Sequence, residues 1–199
     1  MKAVFLTSYG NEGYGHIFRC IGLSEAFEKI GISTKFIVKG KDPKKLLKLN
    51  NILQIIDWYK NLEKTISLIK NYNIVIVDSS RIKKKNLILI KKNIKNLIYI
   101  NDFCRWKIND VLHVDWTLFA KKKINKNELI DHKYCVLRKN FWNSKSITIK
   151  QKIKKILIFF GGSDVRKLST KILGFLKYLN YDHKITIISK NIRLNKKKI

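Results

Sequence analysis

Ala3-Val4-Phe5-Leu6, then Thr7-Ser8-Tyr9-Gly10-Asn11-Glu12, then Gly13-Tyr14-Gly15-His16-Ile17-Phe18-Arg19-Cys20: this opening stretch decides how the chain is read. A short apolar strand enters a glycine turn and a helix follows. Glycine permits backbone shapes that a side chain would block. A helix start offers free N–H groups and a positive dipole end, a seat for a phosphate or another anion. His16 falls at that start, and a histidine beside an anion seat is a candidate general base. Two other readings compete. A dinucleotide fingerprint needs a third glycine and an acid closing the second strand. Here the third glycine position is Phe18, and Thr34-Lys35-Phe36-Ile37-Val38 runs into Lys39-Gly40-Lys41, so nicotinamide binding is excluded. A plain strand-to-helix turn with His16 as an ordinary cap residue stays open.

The rest of the chain repeats the same alternation. A helix over about 16–29 places Cys20, Leu23, Phe27 and Ile30 on one inward stripe. A strand at 34–38 precedes a helical stretch from Pro43 to Leu49, and Ile52 to Ile56 reads as a third strand. Trp58 to Asn71 reads as a helix with Leu62, Ile66 and Ile69 inward. Ile74 to Val77 is apolar at every position, the mark of a strand buried on both faces. A lysine-rich helix at 83–95 leads to a strand from Leu97 to Asp102, and Val111 to Val114 forms one more. Strands alternating with helices imply α/β architecture with a parallel, doubly wound sheet. The apolar pattern lapses over 141–155, which marks a linker between a first domain at 1–140 and a second α/β unit at 156–199. That unit holds only two strands, fewer than an independent α/β domain needs, so a second domain cut short is expected.

Composition narrows the function. The 199 residues carry a formal charge of +29, which would ordinarily suggest nucleic acid. Arginine, however, occurs only at 19, 81, 105, 138, 166 and 193, and lysine supplies the rest of the 43 basic residues. Readers of nucleic acid lean on arginine for bidentate contacts. The spread lysines therefore read as solvated surface, and no specific nucleic-acid partner is expected. The charge steers anionic ligands and favours weak association with an anionic membrane surface. Cys20, Cys104 and Cys135 are odd in number and widely spaced, which fits a reducing cytoplasm rather than disulfides or zinc. The apolar start stops at Thr7-Ser8, too early for a signal peptide, and no stretch has the length of a membrane helix. His113 and Asp115 make a poor metal site by themselves, and no metal or cofactor is expected.

Four motifs then occur in order. They are Gly-x-Gly-His-x-x-Arg-Cys at 13–20, Ile74-Val75-Ile76-Val77-Asp78, Tyr134-Cys135-Val136-Leu137-Arg138-Lys139-Asn140-Phe141, and Ile156-Leu157-Ile158-Phe159-Phe160-Gly161-Gly162-Ser163-Asp164. This series resembles the bacterial UDP-sugar hydrolases of pseudaminic acid biosynthesis. Those enzymes cleave UDP from UDP-2,4-diacetamido-2,4,6-trideoxy-β-L-altropyranose and are similar to the two-domain GT-B glycosyltransferases, including the peptidoglycan N-acetylglucosaminyltransferase. The resemblance implies a GT-B-like chain with a Rossmann-type first domain and a nucleotide-binding second one. It implies His16 as the catalytic residue that positions or deprotonates water. Gly13, Gly15, Arg19, Asp78, Gly161, Gly162 and Ser163 then face the UDP-sugar, with Arg19 directed at a diphosphate oxygen and Asp78 at sugar hydroxyls or the His16 loop. By residue type alone a salt bridge for Arg19 and a helix cap for Asp78 stay open.

The chain also departs from that pattern. Ser80 stands where the family has an aromatic, Asn101-Asp102 replaces an Asp-Asp pair, and His113-Val114-Asp115-Trp116 replaces an Asn-rich segment. The nucleotide-binding half of the second domain has no counterpart before Ile199. The alternatives that remain are a GT-B glycosyltransferase of surface polysaccharide synthesis and a catalytically inactive truncated remnant or interaction module.

Overall fold

The computed structural model describes residues 1–10, 13–40, 51–118, 120, 126–149, 151–161, 164, 166–178 and 184–188. They fall into two compact units, Met1–Ser144 and Lys145–Ile199.

In the first unit the described elements are β1 (Lys2–Ser8), α1 (Gly15–Lys29), β2 (Ser33–Lys39), β3 (Ile52–Ile55), α2 (Leu62–Ile69), β4 (Ile74–Asp78), α3 (Lys84–Asn93), β5 (Leu97–Ile100), β6 (Leu112–Asp115) and β7 (Glu128–Ile130). The seven strands form one sheet in the order β3-β2-β1-β4-β5-β6-β7, and every neighbouring pair is parallel. The chain first winds outward from β1 to β3, then returns to build on β1's other side. That reversal puts a crevice outside the carboxyl ends of β1 and β4, the place where open α/β sheets gather ligands.

Successive strand residues face opposite sides, so each strand feeds two cores. Ala3 and Phe5 of β1 join Phe36, Val38, Ile76 and Ile100 beneath Ile17 and Cys20 of α1. Val4 and Leu6 join Ile37, Val75, Val77 and Tyr99 against Ile69, Leu87 and Ile90. Both faces are covered, which is why Ile74 to Val77 shows no polar alternation.

Three sequence expectations change. Ile30 is not inward; it follows the last turn of α1 and is 70% exposed. Trp58 does not begin a helix. It is fully buried and its indole N–H donates to the Thr7 carbonyl at 2.8 Å, so the chain turns through 57–60 and α2 starts only at Leu62. β5 ends at Ile100 rather than Asp102, because the Asn101 side chain donates to the Trp106 carbonyl at 2.8 Å and accepts from the Trp106 N–H at 3.1 Å. That amide bracket starts a short 3-10 turn, Asp102–Cys104, in which Phe103 (φ 63) and Cys104 (φ 49) are both left-handed. The Pro43–Leu49 helix lies outside the described residues.

Gly22, on the outer side of α1, shows a close approach. A Cβ there would sit 3.1 Å from the Leu137 carbonyl oxygen and 3.3 Å from the Arg138 Cα. The segment bearing Tyr134 to Phe141 therefore lies directly on α1, and the Lys139 N–H donates to Glu25 at 2.8 Å.

In the second unit, β8 (Lys155–Phe159) pairs in parallel with β9 (Lys184–Ile188), and α4 (Leu168–Tyr178) connects them. Asp164 starts α4 by accepting the N–H groups of Leu168 (2.9 Å) and Ser169 (3.1 Å). Such side-chain acceptance answers donors that a helix start leaves unpaired.

Candidate functional site

The loop after β1 is closed by glycines. Gly10 and Gly13 exchange backbone hydrogen bonds of 3.1 and 2.9 Å, and both adopt positive φ, 97° and 81°. Within the Gly-x-Gly pair, then, the backbone demand falls on Gly13; Gly15 already belongs to α1 and has open space around its Cβ position. This tight turn delivers His16 and Arg19, one helical turn apart, toward the end of β4.

There they meet Asp78, which is fully buried. His16 Nδ1 lies 2.7 Å from Asp78 Oδ1. Arg19 grips the same carboxylate with two parallel bonds, Nε to Oδ2 and Nη2 to Oδ1, each 2.5 Å. The other side of the guanidinium grips Asp102, with Nη1 to Oδ1 at 2.9 Å and Nη2 to Oδ2 at 2.8 Å. Trp116 lies against the guanidinium, 5.3 Å from its centre. A planar fork that serves two carboxylates and stacks on an indole is a task lysine cannot perform.

The electrostatics follow from this packing. Burial alone would raise the Asp78 carboxyl, but hydrogen bonds from Arg19 and His16, and the charge of Arg19, hold it below the ordinary range. Burial opposes the Arg19 charge, yet the bonds and charges of Asp78 and Asp102 prevail and raise its pKa. Cys20, 3.5 Å from Asp78 Oδ2, is pushed well up by burial and then by the Asp78 charge, so its thiol stays protonated. An ionised Asp78 assigns the His16 proton to Nδ1, which donates to it, and leaves a lone pair on Nε2. The 2.9 Å approach of Arg19 Nη2 to Nδ1 is then two donors side by side around one carboxylate. Among the described residues Nε2 has no hydrogen-bond partner. An acid orienting an imidazole with its far nitrogen unoccupied is the arrangement of a general base.

The structure thus brings together His16, Arg19 and Asp78 of the sequence-derived set, with the Gly13 turn beside them. Asp78 is a partner of His16 and Arg19 and caps no helix, and the Arg19 N–H groups are engaged by carboxylates. Gly161 lies in the second unit, after β8, with φ 73. Gly162 and Ser163 lie outside the described residues. Two contributors were missed, Asp102 and Trp116. In sequence Asp102 stands out as part of a strand end where ligands collect, and both stand out as departures from a pattern, but neither spacing nor residue type ties them to Arg19. Asp164, quoted within its motif but given no role, is the cap of α4. His113 is a packed core group, its Nε2 2.9 Å from the Ile108 carbonyl oxygen. Among the described residues no cluster of His, Cys, Asp or Glu is suited to a metal, and no helix is long and apolar enough to cross a membrane.

The class defined by this sheet is an α/β fold whose structural neighbours are GT-B glycosyltransferases. MurG of Acinetobacter baumannii superimposes with a TM-score of 0.61 at 13% identity, covering 95% of this chain and 68% of MurG. An alpha-glucosyltransferase in complex with UDP and a 13-mer DNA gives a TM-score of 0.51 at 14% identity, covering 94% and 55%. Likeness at these identities is one of fold. In sequence, an uncharacterized protein of Methanocaldococcus jannaschii is 25% identical over 206 aligned residues, covering 94% of this chain. The chain spans 42% of the length of that relative. No family model matches the chain.

Proposed function

We propose that the chain carries the water-activating site of a UDP-sugar hydrolase, one that releases UDP from UDP-2,4-diacetamido-2,4,6-trideoxy-β-L-altropyranose. The observation that carries this reading is the buried pair of His16 Nδ1 and Asp78 Oδ1 at 2.7 Å, at the switch point of a GT-B-like sheet. His16 Nε2 takes a proton from water while Asp78 stabilises the imidazolium that forms. The water oxygen attacks the anomeric carbon, the bond from that carbon to the diphosphate oxygen breaks, and UDP leaves with inversion. The N-terminus of α1 behind Gly13 and Gly15 receives a phosphate by its free N–H groups and dipole. Gly161, Gly162 and Ser163 supply a second glycine loop for the nucleotide. Arg19 supports the base by keeping Asp78 ionised and in place.

A GT-B glycosyltransferase is the second reading, favoured by the identity of the structural neighbours. The same base would then deprotonate an acceptor hydroxyl in place of water. The two separate in one assay: UDP release from the diacetamido sugar with water alone supports hydrolysis, whereas release only with an added acceptor overturns it. In either case His16→Ala lowers UDP release by about 100-fold or more, the usual share of a general base. Unchanged release in that variant removes His16 from the chemistry.

A further inference from the structure

A cavity of about 430 Å³ opens at the carboxyl ends of β5, β6 and β7, wholly within the first unit. Its volume falls within the usual range of small-molecule sites, roughly 300–1,000 Å³. Phe103, Cys104, Trp106, Asp115, Glu128 and Ile130 line it. Its lining is joined through the chain to the His16 cluster: Phe103 follows Asp102, which holds Arg19, and Asp115 precedes Trp116, which covers Arg19.

Three observations indicate what fits. First, the backbone is forced into an uncommon shape at the rim. Phe103 and Cys104 are both left-handed, a conformation that residues other than glycine rarely adopt. Asp115 fixes the turn by accepting the Cys104 N–H at 2.8 Å, and Phe103 is left 66% exposed. Together with Trp106 and Ile130 it gives an apolar wall. Second, the Glu128 side chain is only 9% exposed, with Lys107 Nζ 4.0 Å from Oε1 and, among the described residues, no hydrogen-bond donor to Oε2. A buried acceptor without a donor is costly, and a ligand N–H or O–H relieves it. Third, among the described lining residues Asp115 and Glu128 outweigh Lys107 in charge, a local negative balance in a chain of net charge +29 that disfavours phosphate.

We infer that this cavity is a subsite for an N-acylated part of a sugar, whose amide N–H serves Glu128 and whose methyl group packs on Phe103, Trp106 and Ile130. The assignment rests on the sugar-nucleotide reading above and adds a division of labour. The diphosphate belongs at α1 and the uncharged acylamino substituent belongs at the ends of β5 to β7.

Cys104 reports on the cavity without any turnover. Cys20 is buried, so in a Cys135→Ser chain Cys104 is the one exposed thiol. Methyl N-acetyl-β-glucosaminide at millimolar concentration is expected to slow its alkylation by N-ethylmaleimide at least threefold. The same concentration of UMP leaves the rate within a factor of 1.5, and Phe103→Ala removes most of the protection by the acylamino sugar. A charged pair of thiosulfonate reagents gives a second reading. The cationic one should modify Cys104 faster than the anionic one, and Glu128→Gln should shrink that preference. Equal or better protection by UMP, no protection by the acylamino glycoside, or preference for the anionic reagent overturns the assignment. Protection of Cys104 alongside unchanged UDP release in His16→Ala would discard the catalytic reading and keep the subsite. The converse result would discard the subsite alone.

Discussion

Asp78 has no exposed surface, yet it is held charged, and that combination makes its contribution dependent on pH. Its folded pKa lies below the unfolded value of about 3.9. The unfolded chain therefore binds the proton more readily, and stability from this group is fully present above that value. It is lost as pH falls through the depressed folded pKa. Urea midpoints measured between pH 5 and pH 2 should drop, and the drop should be shallower in Asp78→Asn; equal slopes would show that Asp78 is not held ionised. Asp78→Ala leaves Arg19 and His16 without their shared acceptor, and removing one member of a buried charged set costs about 3–5 kcal/mol. At this scale the sequence displayed His16, Arg19 and Asp78 as individuals, each at a strand end or helix start. The sequence directs Asp78 at sugar hydroxyls or the His16 loop, but the direct bond to His16 is hidden, because the two are 62 positions apart and meet only when β1 and β4 pair. Asp102 was harder still, since its role depends on the turn after β5 and not on any spacing.

The elements were legible where a single physical pattern governs them. The unbroken apolar run of β4 announced burial on both faces, and the three-to-four spacing of α1 found Cys20. Helix α2 was drawn four residues too early because Trp58 fits a helical stripe equally well; its bond to the Thr7 carbonyl is tertiary and leaves no local trace. β7, only Glu128–Ile130, was too short for any periodicity to register. The left-handed Phe103 and Cys104 run against their own propensities, which marks them as residues shaped by their surroundings. The loop between β1 and α1 offers the cleanest test of local geometry. Gly13→Ala must place a Cβ at φ 81, so about 1–2 kcal/mol of stability should be lost. Gly15→Ala, with open space at its Cβ position, should be nearly neutral. A thermal melt compares the two, and equal losses would show that the Gly10–Gly13 turn is not the constraint.

Across the whole molecule, the first unit holds a seven-stranded sheet with a core on each face, and the His16 cluster and the cavity both belong to it. Met1–Ser144 expressed alone should therefore unfold in one cooperative transition by circular dichroism and keep the protection pattern of Cys104. A gradual, non-cooperative melt would show that the sheet depends on residues beyond Ser144. The doubly wound plan was readable from the alternation of strands and helices, and the strand order supplied the meeting of its distant residues. One further property follows from the same assembly. Three of the four indoles are pinned by their N–H groups, Trp58 to Thr7, Trp106 to Ile82 and Trp142 to Leu137. Trp116 is instead laid against the Arg19 guanidinium. Its emission is therefore an optical gauge wired to the carboxylate clamp, and any ligand that draws Arg19 away from Asp78 and Asp102 changes the colour or brightness of the protein itself.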